Sequence, residues 1–463
     1  MPSLPDNPGV AARQTAWRIL MEQESHGVFL KDLFASRLRE FSHEDEDLIR
    51  NICLGVIRWK RLLDYNLGLQ AVRGIKDARL RMLMRMGAYQ LFFLNGIPAF
   101  AAVDTAVQLA KREFGKSEAG FTNAVLKALS RNGLRHQTVK NKKDLKALAV
   151  NTSHPDWLVE RWSKALAPEA LTSALQRNNE EAPLWIRINS RKTSVEAATE
   201  ILRVDGVDLE PVVGANNDSP LQNPVFFMRL IHGADKALRS ELFAQGGFSF
   251  QDPVAYWVAT LLDWHPGQTV LDACSAPGGK SALLLEMAAA RGEDIEQARI
   301  ISGDSSFSRL RKIRDARVRL GHRELLPVCA DLMYSPFRGA GEGFDRILID
   351  APCSNLGVLR RRPEARWNLT PEKAAAQAVH QRELLEKAAE LLAPNGRLVY
   401  ATCSAEPEET VNVVDDFISR HPEFKLIDVG ENIPTVLRKR GCLWVYPGET
   451  EYDGFFAAAL IRS

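Results

Sequence analysis

A chain of 463 residues, 45% of them apolar and 25% charged, is long enough for two to four domains that each bury a core. The opening MPSLPDNPGVAARQ has no apolar signal core, and no run of about 18 apolar residues occurs, which argues against a secreted or membrane-spanning chain and leads us to expect a cytoplasmic one. Six scattered cysteines without a C-x-x-C pair argue against a disulfide framework or a zinc site, and the net charge of +2 hides an excess of 16 Lys and Arg over 5 Asp and Glu in residues 50 to 140, which suits a polyanionic partner.

From residue 9 to about 133 apolar residues recur at three- and four-residue steps, as in LIRNICLGVIRWKRLLDYNLGL, with Ser42 and Asp45 at capping-box spacing before that run. Breaks at VRGIKD, NGIP, FGKSEAG and SRNGLR divide the stretch into about five to seven helices. The basic RHQTVKNKKDLK leads to SHPDWLVERWSKAL, a helix whose start Ser153 and Pro155 mark. Strand, helix and strand in PLWIRINSRKTSVEAATEILRVDGVDLEPV, with a further strand in PVFFMRLI, predict a small α+β domain of ferredoxin pattern. Its aromatics are read as core rather than as base-stacking platforms.

After residue 250 the strands TVLDAC, ARIISGD, LLPVCAD, FDRILID and RLVYATC alternate with helical stretches, which predicts a mainly parallel sheet with ligands at the carboxyl ends of its strands. In SSFSRLRKIRDARVRLG the arginines are expected to form a solvated face, with Leu310, Ile313 and Leu320 inward. The expected division is 1–140 all-helical, 141–245 a linker helix plus the small α+β domain, and 246–463 the α/β domain.

The turn after the first α/β strand, Cys274-Ser275-Ala276-Pro277-Gly278-Gly279-Lys280-Ser281, fits a phosphate-cradling loop at every fixed position but the first, where Cys274 replaces glycine. Acids follow at the strand ends: Asp272, Asp304, Asp331 and Asp350. Such a ring of carboxylates repels a triphosphate and suits a cationic nucleoside such as S-adenosylmethionine. A degenerate P-loop ATPase therefore ranks last.

DAPCSNLGVLRRRPEARW and YATCSAEPEET each place a cysteine beyond a strand end, followed by serine. Loops at one sheet edge would let Cys353 and Cys403 share a pocket. A thiolate, a second thiol, a carboxylate and a methyl donor suit methylation at carbon 5 of a pyrimidine, where addition at carbon 6 makes carbon 5 nucleophilic.

These three motifs resemble those of the RNA (cytosine-5) methyltransferases, and DGFFAAAL resembles their closing strand. RMGAYQLFFLNGIPAFAAVDTAVQLAK and GFTNAVLKAL resemble the NusB-like RNA-binding domain of the RsmB (Sun/Fmu) subgroup. The resemblance implies an all-α NusB-like domain, a small ferredoxin/RRM-like α+β domain and a Rossmann-like class I S-adenosylmethionine-dependent methyltransferase domain. It implies Cys403 as nucleophile, Cys353 in release, and Asp350 and Lys280 facing the target base. Cys274 to Lys280, Asp304, Asp331 and Asp350 would bound the S-adenosylmethionine site. The partner would be RNA, 16S rRNA or a small-subunit particle, met by a monomer. The loop Arg361-Arg362-Pro363 lacks the histidine usual in that family and is expected to lie against RNA. Two rivals remain: a DNA cytosine-5 methyltransferase, which takes its nucleophile from the Pro-Cys loop, and a non-catalytic RNA-binding assembly factor.

Overall fold

The computed structural model describes residues 8–140, 144–212, 227–337, 343–430 and 433–463. Residues 141–143 of the basic stretch and 224–226 of PVFFMRLI lie outside these. The chain forms two compact units, Met1–Glu180 with Leu359–Leu369, and Glu181–Val358 with Thr370–Ser463.

The first unit is helical. Seven helices lie between Pro8 and Asn132, followed by Leu145–Asn151, Asp156–Ala165 and Pro168–Arg177. Ser42 caps the helix His43–Arg58, its hydroxyl accepting from the Asp45 amide at 3.3 Å. Ile49, Ile52, Val56, Leu83, Met84 and Leu126 belong to one core. Glycine is required at position 55, where a Cβ would come 1.8 Å from the Tyr89 ring. Ser153 does not mark a helix start: its backbone is left-handed (φ 55°) and its hydroxyl accepts from the Arg61 amide at 2.9 Å, so Pro155 stands at the cap of Asp156–Ala165 without a side-chain bond.

Leu359–Leu369 belongs to this helical unit although its flanks belong to the other. Arg366 is fully buried there and donates to the Ser153 carbonyl (3.1 Å), the Asn178 carbonyl (3.0 Å) and Asn179 Oδ1 (2.8 Å). Burial and the nearby Arg58 push its pKa down to about 9, against the pull of Glu364. The Trp367 indole donates to the Ile57 carbonyl at 2.8 Å, and Glu364 accepts from the Leu30 amide at 3.2 Å. Arg360 and Pro363 are buried and Arg361 and Arg362 half-buried, so the arginine loop is partly packed within the helical unit.

The second unit begins with β1 (Leu184–Ile188), β2 (Asp208–Pro211), β3 (Phe227–His232) and β4 (Phe248–Phe250), with helices Val195–Val204, Ala234–Arg239 and Glu241–Ala244 between them. The order β4-β1-β3-β2, with antiparallel neighbours throughout, is the ferredoxin-like arrangement. Trp185 and Phe227 are buried core residues.

The nine-stranded sheet follows: β5 (Val270–Asp272), β6 (Ile300–Asp304), β7 (Leu325–Cys329), β8 (Phe344–Asp350), β9 (Leu392–Thr402), β10 (Phe424–Ile427), β11 (Arg438–Lys439), β12 (Cys442–Val445) and β13 (Phe455–Arg462). Strands β9-β8-β5-β6-β7 run parallel, and β13 pairs antiparallel with β9. Alternate residues serve opposite faces, Val270, Ile300, Leu348 and Val399 in one core, Leu271, Ile347, Ile349 and Leu398 in the other. The helix Phe307–Leu320 buries Ile313 and Leu320 as expected, whereas Leu310 is only half-buried. Arg319 departs from the solvated face: its guanidinium lies 4.2 Å from the Phe243 ring centroid and donates to the Phe243 and Phe248 carbonyls at 2.9 Å.

Candidate active site

From β5 the chain steps to β6 and β7 on one side, then returns to β8 and β9 on the other. The reversal leaves a crevice beyond the carboxyl ends of β5 and β8, the place where open α/β sheets bind ligands. The glycine loop leaves β5 there, Asp350 ends β8, and Cys403 follows the last residue of β9.

The glycine loop is held from within. Asp272 is buried, and its Oδ2 accepts from Ser281 Oγ at 2.6 Å, while Ser302 Oγ donates to Ser281 Oγ at 3.0 Å. The Ser275 amide donates to the Gly303 carbonyl at 2.8 Å, tying the loop to β6. Gly278 is left-handed (φ 94°), and a Cβ there would approach Ile313 to 3.1 Å. Lys280 opens the helix Gly279–Ala290, and its Nζ donates to Asp350 Oδ2 at 2.5 Å and lies 5.3 Å from the Phe455 ring centroid. Burial opposes its charge, but Asp350, with Asp272 and Cys403, outweighs it and holds the Lys280 pKa above the ordinary lysine value. Burial and the charges of Asp272, Asp350 and Asp304 push the Cys274 thiol up, so it stays protonated.

The two cysteine loops meet. Cys353 Sγ and Cys403 Sγ are 3.1 Å apart and both half-buried. Asn355, left-handed at φ 61°, donates from Nδ2 to the Cys353 carbonyl at 2.9 Å and accepts from Cys403 Sγ at 3.4 Å. The serines after the cysteines face each other, with Ser354 Oγ 3.4 Å from Ser404 Oγ. Buried Glu409 clamps the pair of loops: its Oε1 accepts from the Ser354 amide at 2.8 Å, its Oε2 accepts from the Ser354 hydroxyl, and its carbonyl accepts from the Tyr400 hydroxyl at 2.7 Å. Gly357 approaches so closely that a Cβ would lie 2.2 Å from the Gly454 carbonyl oxygen.

Of the residues expected from sequence, Cys353, Cys403, Lys280 and Asp350 come together at the crevice. Asp304 is buried at the end of β6 and accepts from the Ser306 amide at 2.8 Å and from Arg309 at 3.0 Å. Asp331 is exposed beyond β7 and accepts from the Met333 amide at 3.0 Å. Asn355 and Glu409 were not singled out, although both stand inside the quoted cysteine motifs.

Comparison with known proteins agrees with this geometry. Residues 259–461 match the family described as 16S rRNA methyltransferase RsmB/F, residues 10–131 the NusB family, and residues 154–223 the RsmF/B-like ferredoxin-like domain. The chain is 32% identical to the ribosomal RNA small subunit methyltransferase B of Vibrio cholerae, over 97% of each chain. The chain belongs to the RsmB/F family of rRNA methyltransferases. It is also 29% identical to the probable ribosomal RNA small subunit methyltransferase B of Bacillus subtilis, over 97% of this chain and 98% of that one. The crystal structure of PH0851 superposes with a TM-score of 0.76 at 25% identity, covering 99% of each chain.

As an RsmB/F methyltransferase the chain uses S-adenosylmethionine as methyl donor and RNA as substrate. The crevice fits a cationic sulfonium nucleoside: Asp272 Oδ1 is buried without a hydrogen-bond partner among the described residues, and three carboxylates act on Cys274 at its centre. Burial, aided by Asp350, raises the Asp272 pKa to about 6 against the Ser281 hydrogen bond and the Lys280 charge. An unfolded aspartate titrates near 3.9, so the folded form binds more protons between the two values. The stabilising contribution is complete below about pH 4 and is lost as pH rises through about 6. Asp272→Asn should therefore gain about 3 kcal/mol of unfolding free energy relative to wild type between pH 4 and 7. Denaturant titrations at the two pH values check this, and parallel profiles would contradict it.

The same RsmB/F domain receives a buried arm from the ferredoxin-like sheet. Arg187 on β1 donates to Glu286 Oε2 (2.8 Å) and Oε1 (2.9 Å), to the Gly279 carbonyl (2.8 Å) and to Gln251 Oε1. His322 Nε2 lies 2.9 Å from Glu286 Oε1. Burial works against the Glu286 charge, and Arg187 and His322 overcome it, leaving its pKa below the ordinary value. Arg187→Met strands a buried carboxylate and should cost about 3–5 kcal/mol, whereas Arg187→Met with Glu286→Leu should recover most of that loss. Chemical denaturation of both variants decides it.

Proposed function

We propose that the protein methylates carbon 5 of a cytosine in 16S rRNA through a covalent adduct on Cys403. One observation carries the reading: Cys403 lies 3.1 Å from a second thiol and beside the Lys280 ammonium, whose protonation its charge supports. Cys353 lies behind it, held by the Glu409 clamp through Ser354.

The thiolate of Cys403 adds to cytosine carbon 6, and the electron pair released into the ring makes carbon 5 nucleophilic. Asp350, paired with Lys280, faces the N3/N4 edge of the base and favours the charge developing there. S-adenosylmethionine, held by Cys274 to Lys280, Asp304, Asp331 and Asp350, supplies an electrophilic methyl group. Carbon 5 then carries both methyl and hydrogen; Cys353 accepts that proton, directly or by relay, and the Cys403 sulfur–carbon bond breaks to restore the ring.

In this reading residues 1–140 and 141–245 deliver RNA, and 246–463 carries the chemistry. The target base is single-stranded or flipped from its stack so that carbon 6 can be reached. The protein acts as a monomer in the cytoplasm; no described helix is long and apolar enough to cross a membrane. Incubation with 16S-derived RNA or small-subunit particles and S-adenosylmethionine, followed by digestion to nucleosides, should yield 5-methylcytidine. Methyl on N4 or a ribose oxygen instead would overturn the reading.

A further inference from the structure

The helices Ala99–Glu113 and Lys116–Asn132 of the helical unit are joined by a two-residue turn at Phe114–Gly115 and pack side by side as an antiparallel hairpin. Between them runs a groove of about 570 Å³. Phe100, Val103 and Val107, at three- and four-residue steps, line one wall, and Asn123, Lys127 and Arg131, at four-residue steps, line the other. The antiparallel arrangement puts Phe100 at the same end as Arg131. Phe100 is 77% exposed, unusual for an aromatic side chain in a unit with a continuous core.

We propose that this groove binds a single-stranded segment of the RNA substrate, with a nucleobase stacked on Phe100 and backbone phosphates on Lys127 and Arg131. Lys127 and Arg131 are exposed and make no ion pair or hydrogen bond among the described residues, so their charge is open to a ligand. They lie within the stretch of 16 basic against 5 acidic residues between positions 50 and 140. Exposed aromatics beside unpaired cations form the platform that single strands use, the ring taking a base and the cations the phosphates. Asp104 also lines the groove, and its carboxylate accepts from Gln108 Nε2 at 2.6 Å. It repels phosphate and accepts from base amino groups, so the base lies toward the Phe100 wall and the backbone toward Arg131. An acidic protein segment would match the cations alone, but the substrate is already an RNA, and the exposed ring adds a face on which a base stacks.

The inference rests on RNA as substrate and is tested without methyl transfer, so a failure of the cytosine-5 chemistry leaves its result untouched. Binding of a short, unstructured, fluorescein-labelled RNA to the full-length protein is followed by anisotropy over a range of salt. Phe100→Ala should weaken binding about five- to a hundredfold, Phe100→Trp should retain it, and Phe100→Leu should behave as the alanine variant. Lys127→Gln with Arg131→Gln should lower the magnitude of the log K against log salt slope by about 1.4. An unchanged circular dichroism spectrum and an unchanged thermal transition of the helical unit show that each variant is folded. Wild-type RNA binding by the alanine and double variants would overturn the proposal, as would full binding by Phe100→Leu, which would mark an apolar protein-docking groove.

Discussion

Cys403→Ala is expected to abolish methyl transfer, lowering turnover by about four orders of magnitude or more, while S-adenosylmethionine binding stays within about twofold of wild type. Carbon 5 of cytosine does not attack a sulfonium methyl unaided, so loss of the thiolate removes the activation itself rather than tuning it. Nothing nearby replaces it. Cys274 is kept protonated by burial and by Asp272, Asp350 and Asp304. Cys353 has its loop locked on the far side by Ser354, Glu409 and Gln381, the last donating to the Pro352 carbonyl at 2.9 Å. The alanine should fold normally, because Glu409 holds the two loops through Ser354 without the Cys403 side chain. Single-turnover methylation with radiolabelled S-adenosylmethionine measures the loss.

Cys353→Ala is expected to do the opposite to the intermediate: addition and methyl transfer proceed, and release stalls. With the second thiol 3.1 Å from the nucleophile removed, the carbon 5 proton has no acceptor at that position, so the sulfur–carbon bond persists. Multiple turnover should fall by about two to four orders of magnitude, and a protein–RNA complex resistant to denaturant should accumulate when S-adenosylmethionine is present. The same variant separates this account from the DNA-type arrangement, in which the Pro-Cys loop carries the nucleophile. If Cys353 were the attacking thiol, Cys353→Ala would form no complex at all.

What could be read in the sequence and what could not divide along range of interaction. Asp272, Asp304, Asp331 and Asp350 were legible because each ends a strand or lies within two residues of its end, where the pattern is local, and the parallel order then carries them to one edge. The meeting of Cys353 and Cys403 followed from the same rule, although their 3.1 Å separation did not. Glu409 remained hidden because its partner Ser354 is 55 residues away and a buried carboxylate has no periodic signature. Arg187 was hidden for a like reason: on β1 it reads as a strand residue, and only folding shows it reaching Gly279 and Glu286 across more than 90 residues. Ser153 misled because the hydroxyl that would cap a helix is taken by the Arg61 amide. The packing of the arginine loop was not legible, because Arg366 and Trp367 just beyond it tie the segment into the helical unit through bonds to residues far off in the chain.

The most direct test of the central claim is peptide mapping by mass spectrometry of the complex formed with 16S-derived RNA containing 5-fluorocytosine in the presence of S-adenosylmethionine. Fluorine at carbon 5 cannot leave as a proton, so the methylated adduct is trapped. The account predicts a single modified peptide carrying the methylated base on Cys403. Attachment to Cys353, or transfer of methyl to the base with no protein adduct, would contradict it.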